Sequence, residues 1–261
     1  MADVAICCGP VSAIAGVRWE RPTQIVTVNH RDWPGPMDGA PRPEIVGSGA
    51  FGILAQRLGP RPLSRILEIA GISSPGRIAL LGFSAAHGLI EPILSSPDAA
   101  RVNALGAFDA YFTGMNKAIK RGYLAFLERA IAEEVLAVVT TSSNAGPDYP
   151  AGNASFAVLA AQLGIASEEP PPGVPEPATM QGAGDFGWAD YQFQFAHAAH
   201  WNSLAPAWCN AVIAPYLATE ESHLATSHGG GAVTFGEVVF GAVALVGIAL
   251  GAKEAARRLA A

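Results

Sequence analysis

The sequence predicts an α/β protein with a doubly wound, mostly parallel sheet. Three observations lead to this class. Half of the 261 residues are hydrophobic, Gly- and Pro-rich loops divide the chain, and the segments between those loops alternate between strand and helix patterns. Strict alternation implies right-handed crossovers and parallel strands. A chain of this length and composition can bury one large core.

The elements follow from local patterns. Strands are predicted where β-branched and other apolar residues run together, at 24–29, 77–83, 101–108, 135–140 and 191–196. Helices are predicted where apolar residues recur at helical spacing, at 50–58, 63–70, 89–94, about 115–134, 155–163 and 202–217. We expect an irregular Gly/Pro-rich loop at 31–43 and an exposed Pro-rich excursion at 167–181.

Charge and cysteine usage narrow the class of protein. The 16 Lys and Arg residues against 22 Asp and Glu residues give a formal net charge of -6, with no dense basic patch, which argues against a nucleic-acid partner. Cys7, Cys8 and Cys209 lack a metal-binding spacing, so we expect free thiols. The acidic Asp3 stands where a Sec-type signal would carry positive charge, so no such signal is expected. The predicted location is cytoplasmic or membrane-associated.

Several polar residues fall just after predicted strands. Ligands of a doubly wound sheet bind outside the carboxyl ends of its strands, so these residues are candidates for a functional site. A serine hydroxyl becomes an effective nucleophile when a base accepts its proton and a carboxylate orients that base. The chain supplies these types in the order serine, acid, histidine. The residues are Ser84, Asp109, Asp148, His197 and His200.

The segment GFSAA, residues 82–86, resembles the nucleophile elbow of the α/β-hydrolase superfamily, in which a sharp strand-to-helix turn holds the serine above the sheet. Gly82 matches the first small residue of that motif, and Ala86 stands where the family has a second glycine. The resemblance covers roughly residues 20 to 217. It implies a bacterial esterase- or lipase-like serine hydrolase that cleaves carboxylic esters, including lipid-like ones, through an acyl-enzyme, without a cofactor or a metal.

The resemblance also implies roles for individual residues. Ser84 is the expected nucleophile, and His200, which opens the final helix, is the preferred base, with His197 as its alternate. Asp109, at a strand end, is the preferred acid, and Asp148, in the next loop, is the alternate.

Acyl transfer places negative charge on the substrate oxygen, which two backbone N–H groups commonly stabilise. The resemblance implies the amide of Ala85 and that of His30 or Arg31, in the loop where the family often has a His-Gly pair. His87 is expected near the site or at the surface, without acting as the base. A metal site at HAAH (197–200) is the rival interpretation, but no third ligand stands at a familiar zinc spacing.

The pattern of the last 44 residues predicts a linker and a helix outside the hydrolase domain. Residues 1–217 are expected to form the hydrolase domain, 218–231 a linker, and 232–261 an apolar helix. Its uncharged run from Val238 to Ala252 is shorter than the roughly 20 residues that span a bilayer. Two interpretations stay open: a membrane anchor, and a helix that packs on its own domain or on a second copy.

An alternative function belongs to another class. The chain is then a catalytically retired hydrolase scaffold that acts as a structural or interaction protein through its apolar tail. Two departures from the family pattern favour it: Ala86 at the second elbow position and Arg31 in place of the oxyanion-loop glycine.

Overall fold

Strands and helices alternate along most of the chain. The computed structural model describes residues 1–9, 14–28, 48–111, 120–142, 152–191 and 204–219. The strands are β1 (Asp3–Cys8), β2 (Thr23–Val28), β3 (Ile78–Phe83), β4 (Ala104–Phe108), β5 (Leu136–Ser142), β6 (Ala166–Ser167), β7 (Thr179–Ala183) and β8 (Phe186–Tyr191). The helices are α1 (Ser48–Leu58), α2 (Pro62–Ile69), α3 (His87–Leu94), α4 (Arg121–Ile131), α5 (Gly152–Leu163) and α6 (204–218).

The eight strands form one mixed sheet in the order β2-β1-β3-β4-β5-β8-β7-β6. All neighbours from β2 to β8 pair in parallel, whereas β7 and β6 are antiparallel. The predicted α/β class with a mostly parallel sheet is therefore confirmed. Because β1 lies between β2 and β3, the direction of winding reverses there, and this switch point is where doubly wound sheets bind ligands.

Both faces of the sheet are covered, which explains the sequence of the central strands. Every residue of β1, β3, β4 and β5 is buried. Strands covered on both faces are continuous apolar runs rather than alternating ones. Helices α1 to α5 pack on one face of the sheet, and α6 packs on the other together with residues 14–19. All three cysteines are buried free thiols, as the sequence predicts.

Some elements of the structure differ from the predicted ones. The apolar N-terminus forms β1, which the sequence reasoning did not predict. The last parallel strand in the described part of the chain is Phe186–Tyr191, and of the predicted strand 191–196 only Tyr191 is described. The predicted excursion at 167–181 contains most of β7. The predicted strand at 101–108 begins only at Ala104, because a 3-10 turn occupies Pro97–Arg101. The predicted helix at 115–134 is Arg121–Ile131 in the described part of the chain.

The tail lies outside the described residues from position 220 onward. Most of the predicted linker 218–231 and all of the predicted apolar helix 232–261 therefore stay predictions. Within the ranges that the structure describes, no helix combines the length and apolar character needed to cross a membrane.

Candidate active site

Ser84 occupies a sharp turn at the carboxyl end of β3. Phe83 is extended, with φ -127° and ψ 125°, and Ser84 then turns to a left-handed φ of 48°. A 3-10 turn at Ser84–Ala86 leads directly into α3. A non-glycine residue in the left-handed region is uncommon and strained, and such residues cluster at functional sites.

The residues two positions before and two positions after the serine are small. A Cβ atom added to Gly82 would overlap the Ile90 side chain and lie 3.4 Å from the Cβ of Ala86. Ala86 itself is completely buried. The turn therefore accommodates a methyl group at the second position, whereas a side chain at the first would require Ile90 to move.

His87 contacts the main chain of this turn. Its Nδ1 lies 3.2 Å from the carbonyl oxygen of Ser84, so a proton on Nδ1 would be donated to that oxygen. Burial, aided by the positive charge of Lys120, lowers the pKa of His87 to about 4, against the effect of the Ser84 hydrogen bond. His87 is therefore neutral at physiological pH. That His87 does not act as the base stays a prediction.

Asp109 follows the neighbouring strand at the same level. Phe83 and Phe108 are register partners of β3 and β4, and their rings stack with centroids 5.3 Å apart. Ser84 and Asp109 are the next residues, so they leave adjacent strands side by side. Neighbouring strands are about 4.8 Å apart. Asp109 also has a left-handed φ, 47°, and its exposed fraction is 3%.

The end of β5 holds Asp109 by both its main chain and its side chain. The Asp109 amide donates to the Thr140 carbonyl at 2.8 Å. The Ser142 amide donates to Oδ1 at 3.2 Å, and the Ser142 hydroxyl donates to Oδ2 at 2.8 Å. Burial raises the pKa of Asp109 to about 6; the Ser142 hydrogen bonds oppose that rise, and the charge of Asp190 adds to it.

A second carboxylate, that of Asp190, lies near the carboxyl end of β8, on the same side of the sheet as the ends of β3 and β4. Thr141 is the register partner of Asp190 and donates its hydroxyl to Asp190 Oδ1 at 2.9 Å. The indole N–H of Trp188 donates to the Thr141 hydroxyl at 2.8 Å. Sequence reasoning missed Asp190 because the predicted strand begins one residue after it. It missed Ser142 because the predicted strand 135–140 ends before it.

The structure places some of the predicted site residues and not others. Ser84 and Asp109 lie at adjacent strand ends, and half-buried Ala85 is the second residue of the turn. The other predicted residues lie outside the described part of the chain: His30, Arg31, Asp148, His197 and His200. The completed triad and the oxyanion site therefore stay predictions.

The described side chains include no group of three or more His, Cys, Asp or Glu residues that could hold a metal ion. The two histidines of the HAAH segment lie outside those residues. No protein-family model matches the chain, and no curated protein matches it.

Proposed function

We propose that this protein is a serine hydrolase of the α/β-hydrolase type that cleaves carboxylic esters through an acyl-enzyme. The observation that carries the proposal is the left-handed Ser84, at the end of β3 beside the switch point of the sheet. Holding a non-glycine residue there costs about 1–3 kcal/mol, whereas glycine adopts the conformation readily. A serine at such a position is best explained by the use of its hydroxyl.

The proposed reaction has two stages. Ser84 Oγ attacks the ester carbonyl carbon while its proton passes to His200, or to the alternate His197, and the departing alcohol then takes up that proton. Water then attacks the acyl carbon while the same histidine takes its proton. The bond to Ser84 Oγ breaks, the histidine returns the proton to Oγ, and the carboxylic acid leaves. The amides of Ala85 and of His30 or Arg31 would stabilise the oxyanion.

Asp109 is the proposed acid of the triad, and Asp148 stays its alternate. Asp109 is buried, lies beside the serine-bearing strand end, and is held by the end of β5. With a pKa of about 6, its carboxyl is ionised at pH 7–8 and can orient the histidine and stabilise its positive charge. Below pH 6 it becomes neutral, so we propose that esterase activity falls there.

A fluorophosphonate probe tests the proposal, because only an activated serine reacts with it. We expect labelling of the wild-type protein and none of Ser84→Ala. The matched control is Ser95→Ala. Ser95 is exposed and follows α3, the helix that begins after the Ser84 turn, and it has a relaxed helical conformation with φ -86°. Ser95→Ala should be labelled like the wild type. An unlabelled wild-type protein would contradict the proposal and favour the retired scaffold.

Ester specificity is measured with nitrophenyl esters of increasing acyl length. Hydrolysis that depends on Ser84 would confirm the reaction class, and the dependence on acyl length would define the substrate. Turnover that Ser84→Ala retains would assign the activity elsewhere.

A further inference from the structure

One residue supplies both side-chain hydrogen bonds of Asp109 among the described residues. Ser142 donates its amide to one carboxylate oxygen and its hydroxyl to the other, at 3.2 Å and 2.8 Å. Ser142 is itself 1% exposed and is the last residue of β5. The pair is thus shielded from water.

These bonds fix the orientation of the carboxylate. The Asp109 amide is tied to the Thr140 carbonyl, so the backbone cannot shift relative to β5 without losing that hydrogen bond. Rotation of the carboxylate about its Cβ–Cγ bond would break both Ser142 hydrogen bonds. Each carboxylate oxygen accepts two hydrogen bonds, so an acceptor site remains for an imidazole N–H.

The electrostatic surroundings make these donors important. Burial and the negative charge of Asp190, from β8, both favour the neutral acid, and the Ser142 hydrogen bonds favour the ionised form. The nearby phenols, Tyr111 after β4 and Tyr123 on α4, have pKa values raised by burial and are neutral. His87, on α3 beyond the neighbouring strand end, is neutral as well.

We propose that Ser142 is a positioning residue, which holds the Asp109 carboxylate ionised and aimed at the catalytic histidine through its two hydrogen bonds. This inference rests on the proposed function, with Asp109 as the acid. In this proposal Ser142 acts through Asp109, which accepts both of its hydrogen bonds.

The first test is the variant Ser142→Ala, which removes the hydroxyl and keeps the amide. With a nitrophenyl ester at pH 8, kcat should fall about tenfold while KM changes little, because orientation of the triad is lost rather than substrate binding. Ser142→Thr, which keeps a hydroxyl, should restore most of kcat. Ser142→Cys, a weaker donor, should lie between them.

The second test measures the carboxylate itself. The ¹³C chemical shift of the Asp109 carboxyl carbon is followed against pH in the Ser84→Ala background, with the signal assigned by its absence in Asp109→Asn. Removing the Ser142 hydroxyl should raise the titration midpoint by about one pH unit. The matched control is Ser155→Ala, the same change at a buried serine whose hydroxyl has no hydrogen-bond partner within the described part of the chain. It should leave both kcat and the midpoint unchanged.

The outcomes separate the two proposals. If the wild type reacts with fluorophosphonate but Ser142→Ala changes neither kcat nor the midpoint, the positioning role is overturned and the hydrolase proposal stands. A tenfold fall in kcat that Ser142→Thr does not rescue, with no shift of the midpoint, also overturns it. If the wild type does not react with the probe, the proposed function fails, and the catalytic role of Ser142 fails with it.

Discussion

Two aspartates of this protein are almost equally buried, but one has a cationic partner and the other accepts its described side-chain hydrogen bonds from an uncharged residue. Asp98 lies in the 3-10 turn before β4 and is 0% exposed. It accepts hydrogen bonds from the Ser64 amide at 2.9 Å, from the Ser64 hydroxyl at 2.6 Å and from Arg61 Nε at 3.3 Å. Asp109 follows the same strand at its other end, where its described side-chain donors both belong to the uncharged Ser142.

The difference shows what distinguishes a structural carboxylate from a candidate catalytic one. Asp98 stabilises the first turn of α2 and has a cationic partner. Asp109 has a strained backbone, a raised pKa, and no described ion pair. The third described non-glycine residue with a positive φ, Glu133, lies two residues after α4, where helices often end in that conformation. Backbone strain at strand ends is therefore confined, among these residues, to Ser84 and Asp109.

The largest expected effect comes from making the same substitution at both aspartates. Asp109→Asn should lower kcat/KM for a nitrophenyl ester about 10³–10⁴-fold, because a neutral amide cannot stabilise the histidine cation or hold its tautomer. Asp98→Asn should leave the activity per folded molecule unchanged. Equal losses of activity in both variants, after correction for the folded fraction, would show that Asp109 has no catalytic role that Asp98 lacks. Full activity of Asp109→Asn would instead favour Asp148 as the acid.

The stability of these two variants should change in opposite directions. Asp98→Asn replaces an acceptor of three hydrogen bonds with an amide that matches them poorly, which should lower the free energy of unfolding by about 2 kcal/mol. The exposed Arg61 contributes little of this loss, since its side chain is 60% exposed. Urea denaturation at pH 8 measures the change. No loss of stability would show that Asp98 is dispensable to the start of α2.

Asp109→Asn should be more stable than the wild type at pH 8. The folded-state pKa of Asp109, about 6, lies above its ordinary value of 3.8, so the folded protein binds this proton more tightly than the unfolded chain does. The free energy of unfolding therefore falls as pH rises from about 4 to about 6 and stays lower above that. The substitution should recover about 1–3 kcal/mol at pH 8 and much less at pH 4.5. A stability gain that does not change between those two pH values would contradict the electrostatic explanation.

A third buried aspartate, Asp185, tests whether a raised pKa by itself indicates a functional residue. It is 6% exposed and precedes β8, at the end of that strand opposite to Asp190. Its Oδ1 has no hydrogen-bond partner among the described residues. Burial, with the charge of Glu133 adding, raises its pKa to about 7. By the same reasoning Asp185→Asn should gain about 2–3 kcal/mol at pH 8 relative to pH 4.5. Its esterase activity should be unchanged, because a raised pKa alone does not make a site.

The turn at Ser84 was predictable from local sequence, whereas the buried polar residues at the end of β5 were not. Gly82 and Ala86 are small for a reason that acts within a few residues, and the apolar strand before them is continuous. Thr141 and Ser142 look like a loop because they are polar. Their burial depends on hydrogen bonds to Asp190 and Asp109, which come from distant parts of the chain.

Strands β8 and β1 were missed for a similar reason. The sequence FGWADY contains a glycine and an aspartate, whereas YQFQFA alternates more regularly, so local pattern favours the later stretch. β8 forms where it does because it pairs with β5 on one side and β7 on the other. Likewise, the apolar start of the chain, DVAICC, becomes a strand because β2 and β3 flank it. Such pairing is a tertiary property that a local pattern does not contain.

The smallest expected effect is a change in the free energy of unfolding when each of two serines, Ser84 and Ser95, is replaced by glycine. Ser84→Gly relieves a left-handed conformation that glycine adopts readily, so the free energy of unfolding should rise by about 0.5–1 kcal/mol, although glycine also makes the unfolded chain more flexible. Ser95→Gly, at a relaxed helix end, should instead lose about 0.5–1 kcal/mol. Thermal denaturation measures both, and fluorophosphonate labelling should be lost only in Ser84→Gly. A stability loss at both positions would mean that the turn holds Ser84 without strain, and the inference from strain to chemistry would then lose its basis.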